Sequence, residues 1–292
     1  MMTNQDNLMD LKPEVVRQGV RRLPSLPAVV VELLRSLDNE DADPRLLAMK
    51  LARDQALAAK VLRVANSSYY GLPGKVRTIG DAFAVIGLQG VRTLAVGAAI
   101  SNVFAGRAGS RTGIWDFHNF WRHSMAVGLA AKRIARCGGI DEGHAFVAGL
   151  LHDIGRLALA SCFPEHLAAV AHERSGDDAN WLAVEQRVLG TDHAAIGKLL
   201  AEYWRFPQML CEAIGSHHVV EGANSSGLVS LVQIADALGH AAERVAGRNE
   251  DERVVSVADL PLASYGLAAS DWDELARAVS VELDAACAAF TV

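Results

Sequence analysis

Apolar residues recur along this chain at intervals of three and four, the spacing of one helix face. Val29, Val30, Leu33, Leu34 and Leu37 form one such stripe, and Leu57, Val61, Leu62 and Val64 another. Start signals punctuate the pattern. Asp43-Pro44 sets an N-cap carboxylate before a proline at the first helical position, and Asp54, Asp141 and either Thr191 or Asp192 serve as further caps. Pro13 opens a short helix ending near Gly19, and Pro27, Pro164 and Pro207 suit the first turns of others. Thr78 caps a helix through Ala84 and Ile86, Gly87-Leu-Gln-Gly90 breaks it, and Val91 to Phe104 predicts a deeply buried helix of small apolar residues. The pattern resumes at Ile114, with Trp115, Phe117, Phe120 and Trp121, and stops at Gly138-Gly139. Further helices are expected over Ala179–Leu189, from His193 to Trp204 and from Pro207 to His217-His218, with a last one from Ser270 or Asp271 to about Phe290. No strong strand-like alternation and no internal repeat is present, so the predicted fold class is all-α, with room for a short extended piece around residues 72–80.

Composition narrows the classes. The chain has 292 residues, 51% of them hydrophobic, enough for one large domain or two moderate ones. A formal charge of −6, with Lys and Arg scattered, argues against binding nucleic acid by phosphate neutralisation. Four cysteines form no C-x-x-C pair and read as small buried hydrophobes. The N-terminus is polar, without a signal-peptide core, and no apolar stretch is expected to approach the roughly 20 residues that cross a bilayer, so no membrane contact and a cytoplasmic location are expected.

The chemistry lies in Ala145-Phe-Val-Ala-Gly-Leu-Leu-His-Asp-Ile-Gly-Arg-Leu157. Here an apolar run carries His152 and Asp153 on the helix that Asp141 caps. Burying an imidazole and a carboxylate costs several kcal/mol unless both are satisfied, and a metal ion satisfies both. Other candidate ligands lie far apart along the chain: His123, His193, His217, His218 and Asp236. A helical bundle can turn such positions toward one interior point. Imidazole and carboxylate together suit one or two divalent ions, Fe, Mn, Zn or Ni. Such ions activate water toward phosphate esters. Asp153 and Arg156 are the catalytic candidates, Arg156 lying one turn after His152 with a fork of donors for phosphate. Taken singly, each histidine also has a plain packing or capping reading, and His118, His144, His166, His172 and His240 read as surface or packing residues.

The order His123, His152-Asp153, Asp236 resembles the HD superfamily of metal-dependent phosphohydrolases. With His193 and His217-His218 added, the set is similar to HD-GYP cyclic-dinucleotide phosphodiesterases, where the extra histidines serve a second metal and the HD aspartate bridges. Val219-Val-Glu-Gly-Ala-Asn-Ser-Ser replaces the Gly-Tyr-Pro loop of that group, Arg156 stands at its lysine position, and Asn119 replaces the Glu of its trinuclear members. Leu23-Pro-Ser-Leu-Pro27, Asp54-Gln-Ala-Leu-Ala-Ala-Lys-Val-Leu-Arg-Val-Ala-Asn66, Ile79 to Arg92, His193-Ala-Ala-Ile-Gly197 and Trp204-Arg-Phe-Pro207 closely resemble the HDOD (HD-related output) domain. The resemblance implies an all-α bundle in which an N-terminal helical part, residues 14–104, packs on an HD-like part, residues 114–246, with residues 105–113 as linker and residues 247–292 as an extension. It also implies a bacterial signalling module that meets a protein partner or a nucleotide ligand in the groove between the halves. Metal-dependent hydrolysis of a nucleotide or cyclic-dinucleotide phosphodiester is the alternative.

Overall fold

A computed structural model describes residues 9–37, 39, 42–67, 69–71, 74–104, 115–174, 181–219, 227–247 and 256–290. Helices account for the regular structure and no strand occurs among these residues, as the all-α expectation requires. The first half holds α1 (Pro13–Val20), α2 (Ala28–Arg35), α3 (Pro44–Arg53), α4 (Gln55–Ala65) and α5 (Ile79–Phe104). The second holds α6 (Phe117–Gly138), α7 (Glu142–Leu151), α8 (Ile154–Cys162), α9 (Pro164–Arg174), α10 (Trp181–Leu189), α11 (His193–Tyr203), α12 (Gln208–Ser216) and α13 (Leu228–Val245). Three short 3-10 turns lead into α14 (Trp272–Phe290).

The caps sit where the sequence put them. Leu57 N donates to the Asp54 carboxylate at 3.0 Å, His144 N to Asp141 at 2.8 Å and Ala195 N to Asp192 at 2.8 Å, each satisfying an orphan donor of the first turn. Thr78 and Asp81 exchange such bonds: Asp81 N donates to Thr78 Oγ1 at 3.0 Å and Thr78 N to the Asp81 carboxylate at 2.9 Å. The break expected over Gly87–Gly90 narrows to one residue. Gly87 alone leaves helical geometry (φ 71°, ψ 174°), a conformation open to glycine, and α5 resumes directly behind it.

The core forms around α6, which packs against α7, α13 and α14, while α5 gathers α2, α3 and α4 and touches α7. Buried Arg92 on α5 donates to Ser36 O at 3.1 Å and to Gln89 Oε1 at 2.6 Å, and Gln89 Nε2 reaches the Asp141 carboxylate at 3.2 Å. One chain of polar contacts thus ties the end of α2 through α5 to the start of α7. Helix α1 packs instead on α8 and α11, with Leu11 N donating to Leu189 O at 2.8 Å. Helix α14 covers α6 and α13, held by Arg122–Asp284 and Arg133–Glu282 ion pairs at 2.8 Å each. Glu282 also accepts from the Tyr69 hydroxyl at 2.7 Å, so the terminal helix touches both halves.

Three expectations change. Two helical segments, Ile79–Phe104 and Glu142–Cys162, are long and apolar enough to cross a membrane by length and composition, contrary to the sequence reading. Their apolar content serves the core instead, 50% and 83% of the respective windows being buried. Among the cysteines Cys211 and Cys287 are buried, whereas Cys137 is exposed at the end of α6. The extended piece near residues 72–80 is a turn and irregular chain over its described residues, ending where α5 begins. The linker over residues 105–113 lies outside the described residues.

Candidate metal centre

His152 and Asp153 do not lie inside a single helix, as the apolar run led us to expect. Helix α7 stops at Leu151, His152 (φ −52°, ψ −40°) and Asp153 (φ −96°, ψ 15°) form the corner, and α8 starts at Ile154. The corner follows from a helix crossing. A Cβ added to Gly155 would come within 1.8 Å of His193 O and 2.6 Å of Gly197 N, so only glycine lets α8 press against α11 there. That contact sets Asp153 beside His193.

Five imidazoles and two carboxylates selected from the sequence converge. Around Asp153 Oδ1 stand His193 Nε2 at 3.1 Å and His217 Nε2 at 3.5 Å, and His218 Nε2 lies 2.8 Å from His193 Nε2. Around Asp236 Oδ1 stand His123 Nε2 at 3.2 Å and His152 Nε2 at 3.6 Å. His152 joins the two groups, its Nε2 also lying 3.5 Å from Asp153 Oδ2. All seven sequence-selected ligand candidates are therefore at one centre. Arg156 is there as well, its Nε 3.2 Å from Asp153 Oδ2 and its guanidinium over the Trp181 ring at 5.8 Å.

The outward nitrogens are tied down. His152 Nδ1 lies 2.8 Å from Gly149 O, His217 Nδ1 2.7 Å from Ile214 O, His193 Nδ1 2.6 Å from Glu185 Oε2 and His123 Nδ1 3.1 Å from Glu243 Oε2. Carbonyl and carboxylate oxygens only accept, so each Nδ1 carries the proton and donates. In a neutral imidazole that leaves the Nε2 lone pair facing inward, the arrangement in which proteins present histidine to metal. Asp153 Oδ1, Asp236 Oδ1 and His217 Nε2 are buried, and beyond the contacts within this cluster none has a hydrogen-bond partner. Polar atoms left so are costly, about 1–3 kcal/mol each. Ligand atoms held about 2.1 Å from one ion are about 3.4 Å apart in tetrahedral and about 3.0 Å apart in octahedral geometry. The separations around both carboxylates fall in that range or just above it. The ligand atoms of Asp153, His193, His217 and His218 all lie within 4.8 Å of one another, as do those of His123, His152 and Asp153. The residues fit a divalent ion by number, donor type and direction.

Electrostatics splits the histidines. Burial pushes the Asp153 carboxyl up, but the Arg156 guanidinium and neighbouring imidazoles outweigh it and hold it well below the ordinary range. Asp236 is likewise held low against burial, chiefly by His240. Burial brings His152 down to about 4 and, with the His217 and His193 rings, His218 down to about 2. Burial also opposes charge on His193, yet Glu185 and Asp153 raise it to about 10.

Three residues at the centre escaped the sequence reading. Glu185 on α10 accepts from both His193 N at 2.8 Å and His193 Nδ1. Glu243 faces His123 on α13. His240, read as packing, stacks on His123 with ring centroids 4.3 Å apart. Asp236, His240 and Glu243 stand at intervals of four and three, one face of a helix, a signal present in the sequence.

Comparison with known proteins bears on the family and the fold. The HDOD domain model matches residues 23–220. A Geobacter sulfurreducens protein described as an HDOD domain protein with unknown function is 25% identical, with a TM-score of 0.73 over 96% of this chain and 98% of that one. A Shewanella amazonensis SB2B protein described as a candidate phosphohydrolase is 27% identical, with a TM-score of 0.74 over 94% and 97%. An uncharacterized protein of Treponema pallidum (strain Nichols) is 25% identical over 218 residues, and this chain spans 41% of its length. Ribonuclease Y of Desulfotalea psychrophila is 36% identical over 123 residues, 42% of this chain and 18% of that protein. The chain thus spans less than half the length of these two sequence relatives. The motifs from Leu23 to His218 and the match that encloses them give one result: this chain belongs to the HDOD domain family.

Proposed function

We propose that this protein is a signal-transduction module of the HDOD type that holds one or two divalent ions at its His/Asp centre and acts by binding rather than turnover. The observation that carries the reading is the pair of buried carboxylate oxygens, Asp153 Oδ1 and Asp236 Oδ1, whose neighbours are inward-facing Nε2 atoms at 3.1 to 3.6 Å. The donors are nitrogen and oxygen with no thiolate, which suits Fe, Mn, Zn or Ni. Asp153, His152, His123, His193, His217, His218 and Asp236 would hold the ions. A bound ion would supply Lewis acidity and a strong cross-link between helices. Asp153 has 3% of its side chain exposed and His193 and His217 none, an enclosure that favours cross-linking α8, α11 and α12 over admitting substrate. A protein partner or nucleotide ligand would meet the chain in the groove of about 520 Å³ between α5 and the α6–α7 pair, where Tyr69, Tyr70, Gln89, Thr93 and Lys132 supply aromatic and polar contacts.

A second reading rests on the opposite edge. Asp236 is 19% exposed and Arg156 21%, so phosphate could approach between them. On that reading the protein is a phosphohydrolase, Arg156 orients the ester and Asp153 bridges the ions. Metal analysis of the purified protein, followed by turnover of bis(p-nitrophenyl) phosphate with added Mn or Fe, separates the two. The module reading expects bound metal and no turnover; metal-dependent hydrolysis abolished by Asp153→Ala overturns it in favour of the enzyme.

A further inference from the structure

Resting on the metal reading above, we infer that His240 is a ligand of the ion at Asp236, completing a set of three imidazoles and one carboxylate that mirrors the set at Asp153. Neither the HD order of residues nor the seven candidates include it.

Helix α13 carries Asp236, His240 and Glu243 on one face. His240 Nε2 lies 3.4 Å from Asp236 Oδ1, the oxygen that His123 Nε2 and His152 Nε2 approach at 3.2 and 3.6 Å. Three nitrogens from three elements thus point at one buried acceptor, at or just above the separations of ligand atoms sharing an ion, and His240 also falls with His123 and Glu243 in a group whose ligand atoms all lie within 4.8 Å of one another. The ring planes add a second line of evidence. His123 and His240 lie nearly parallel, 24° apart, and both span the gap between the same two carboxylates. Each turns Nε2 to Asp236, while the Nδ1 atoms face Glu243 Oε2 at 3.1 and 3.9 Å. Two stacked imidazoles, one hydrogen-bonded to Glu243 and the other 3.9 Å from it, both with Nε2 toward Asp236, are positioned as a ligand pair, with Glu243 as the group that orients His123. A packing histidine has no need of that alignment.

The two subsites then match in composition. Asp153 gathers His193, His217 and His218, with Glu185 behind His193. Asp236 gathers His123, His152 and His240, with Glu243 behind His123 and His240. Four protein ligands fill a tetrahedral ion, as in structural zinc sites, whereas catalytic zinc keeps a position open. The added histidine therefore closes the very subsite that borders solvent, which deepens the binding-module reading.

The test titrates the full metal-free chain with Zn2+ and measures each dissociation constant by chelator competition in the parent, in His240→Gln and in His118→Ala, whose imidazole is exposed on α6. The inference expects His240→Gln to weaken one site by at least about tenfold, leaving any other site and the His118→Ala protein unchanged. A smaller effect of His240→Gln with the parent still binding overturns the His240 assignment and leaves the metal centre standing. A parent that takes no Zn2+ overturns both. Should His240→Gln lose its helical circular dichroism, the parent labelled with 15N-histidine and loaded with 113Cd decides instead. Scalar coupling to His240 Nε2 supports the assignment, and its absence overturns it.

Discussion

The two carboxylates of the centre are held by different means. Asp153 sits at a corner whose position is set by main-chain contact, Gly155 against His193 and Gly197, and His217 is oriented by the Ile214 carbonyl. Asp236 lies mid-helix on α13, and its neighbour His123 is oriented by a side chain, Glu243. The first subsite is closed at its carboxylate, 3% exposed, with His218 half-buried at its edge; the second is 19% open at its carboxylate. Packing gives precise, costly-to-change geometry, while side-chain hydrogen bonds at a partly wet edge can yield. The Asp153 subsite should therefore behave as a fixed structural clamp, and the Asp236 subsite as the exchangeable one.

The strongest way to break this contrast is to alter the glycine behind each. A methyl at Gly155 meets only backbone, at 1.8 Å, and must part α8 from α11, whereas a methyl at Gly239 meets the Val127 side chain at 2.8 Å, which can turn aside. Gly155→Ala should cost about 1–3 kcal/mol or more in urea unfolding and release the Asp153-side ion, with Gly239→Ala well below it. Equal effects would show that both subsites are packing-determined.

Removing the orienting charges comes next. Glu185→Gln should weaken the ion at Asp153 by about 10–100-fold and Glu243→Gln the ion at Asp236 by less, read by chelator competition. Each variant should leave the other subsite's affinity in place; loss of both ions from either would merge the two into one unit.

The smallest effect is in protons. His193, raised to about 10, is charged in the metal-free protein near neutral pH and must lose its proton to ligate, whereas His152, lowered to about 4, and His218, lowered to about 2, are already neutral. Metal uptake should thus release about one proton from His193 on the Asp153 side, beside that of His123, which, against burial, Asp236 and Glu243 hold well above its ordinary range, and strengthen as pH rises toward 10. Calorimetry in two buffers of different protonation enthalpy measures it; no buffer dependence would contradict a charged His193.

Much of the scaffold was legible because its signals are local. Asp54, Asp141, Asp192 and Thr78 cap helices through bonds to main-chain donors two or three residues on, so spacing alone reveals them. The corner at His152-Asp153 was hidden inside an unbroken apolar run, where the close approach of α8 to α11 at Gly155 leaves no local signal. Glu185 was illegible for a related reason: it lies eight residues before His193 across the turn between α10 and α11, and no periodicity links the two. His240 and Glu243 were readable in principle, one and two turns after Asp236, but histidine on a half-apolar helix face has a plain packing reading until its partners are in place.

By itself the sequence determined most of the helices and their starts, the family and a list of scattered imidazoles and acids, because those depend on neighbours within a turn or on motifs of a few residues. Only the tertiary structure decided that the list divides into two sets around Asp153 and Asp236, and that Glu185, Glu243 and His240 belong to them. The His123 ring is turned by Glu243, 120 residues further on, and each carboxylate meets imidazoles from helices far apart along the chain, so no local pattern could group them.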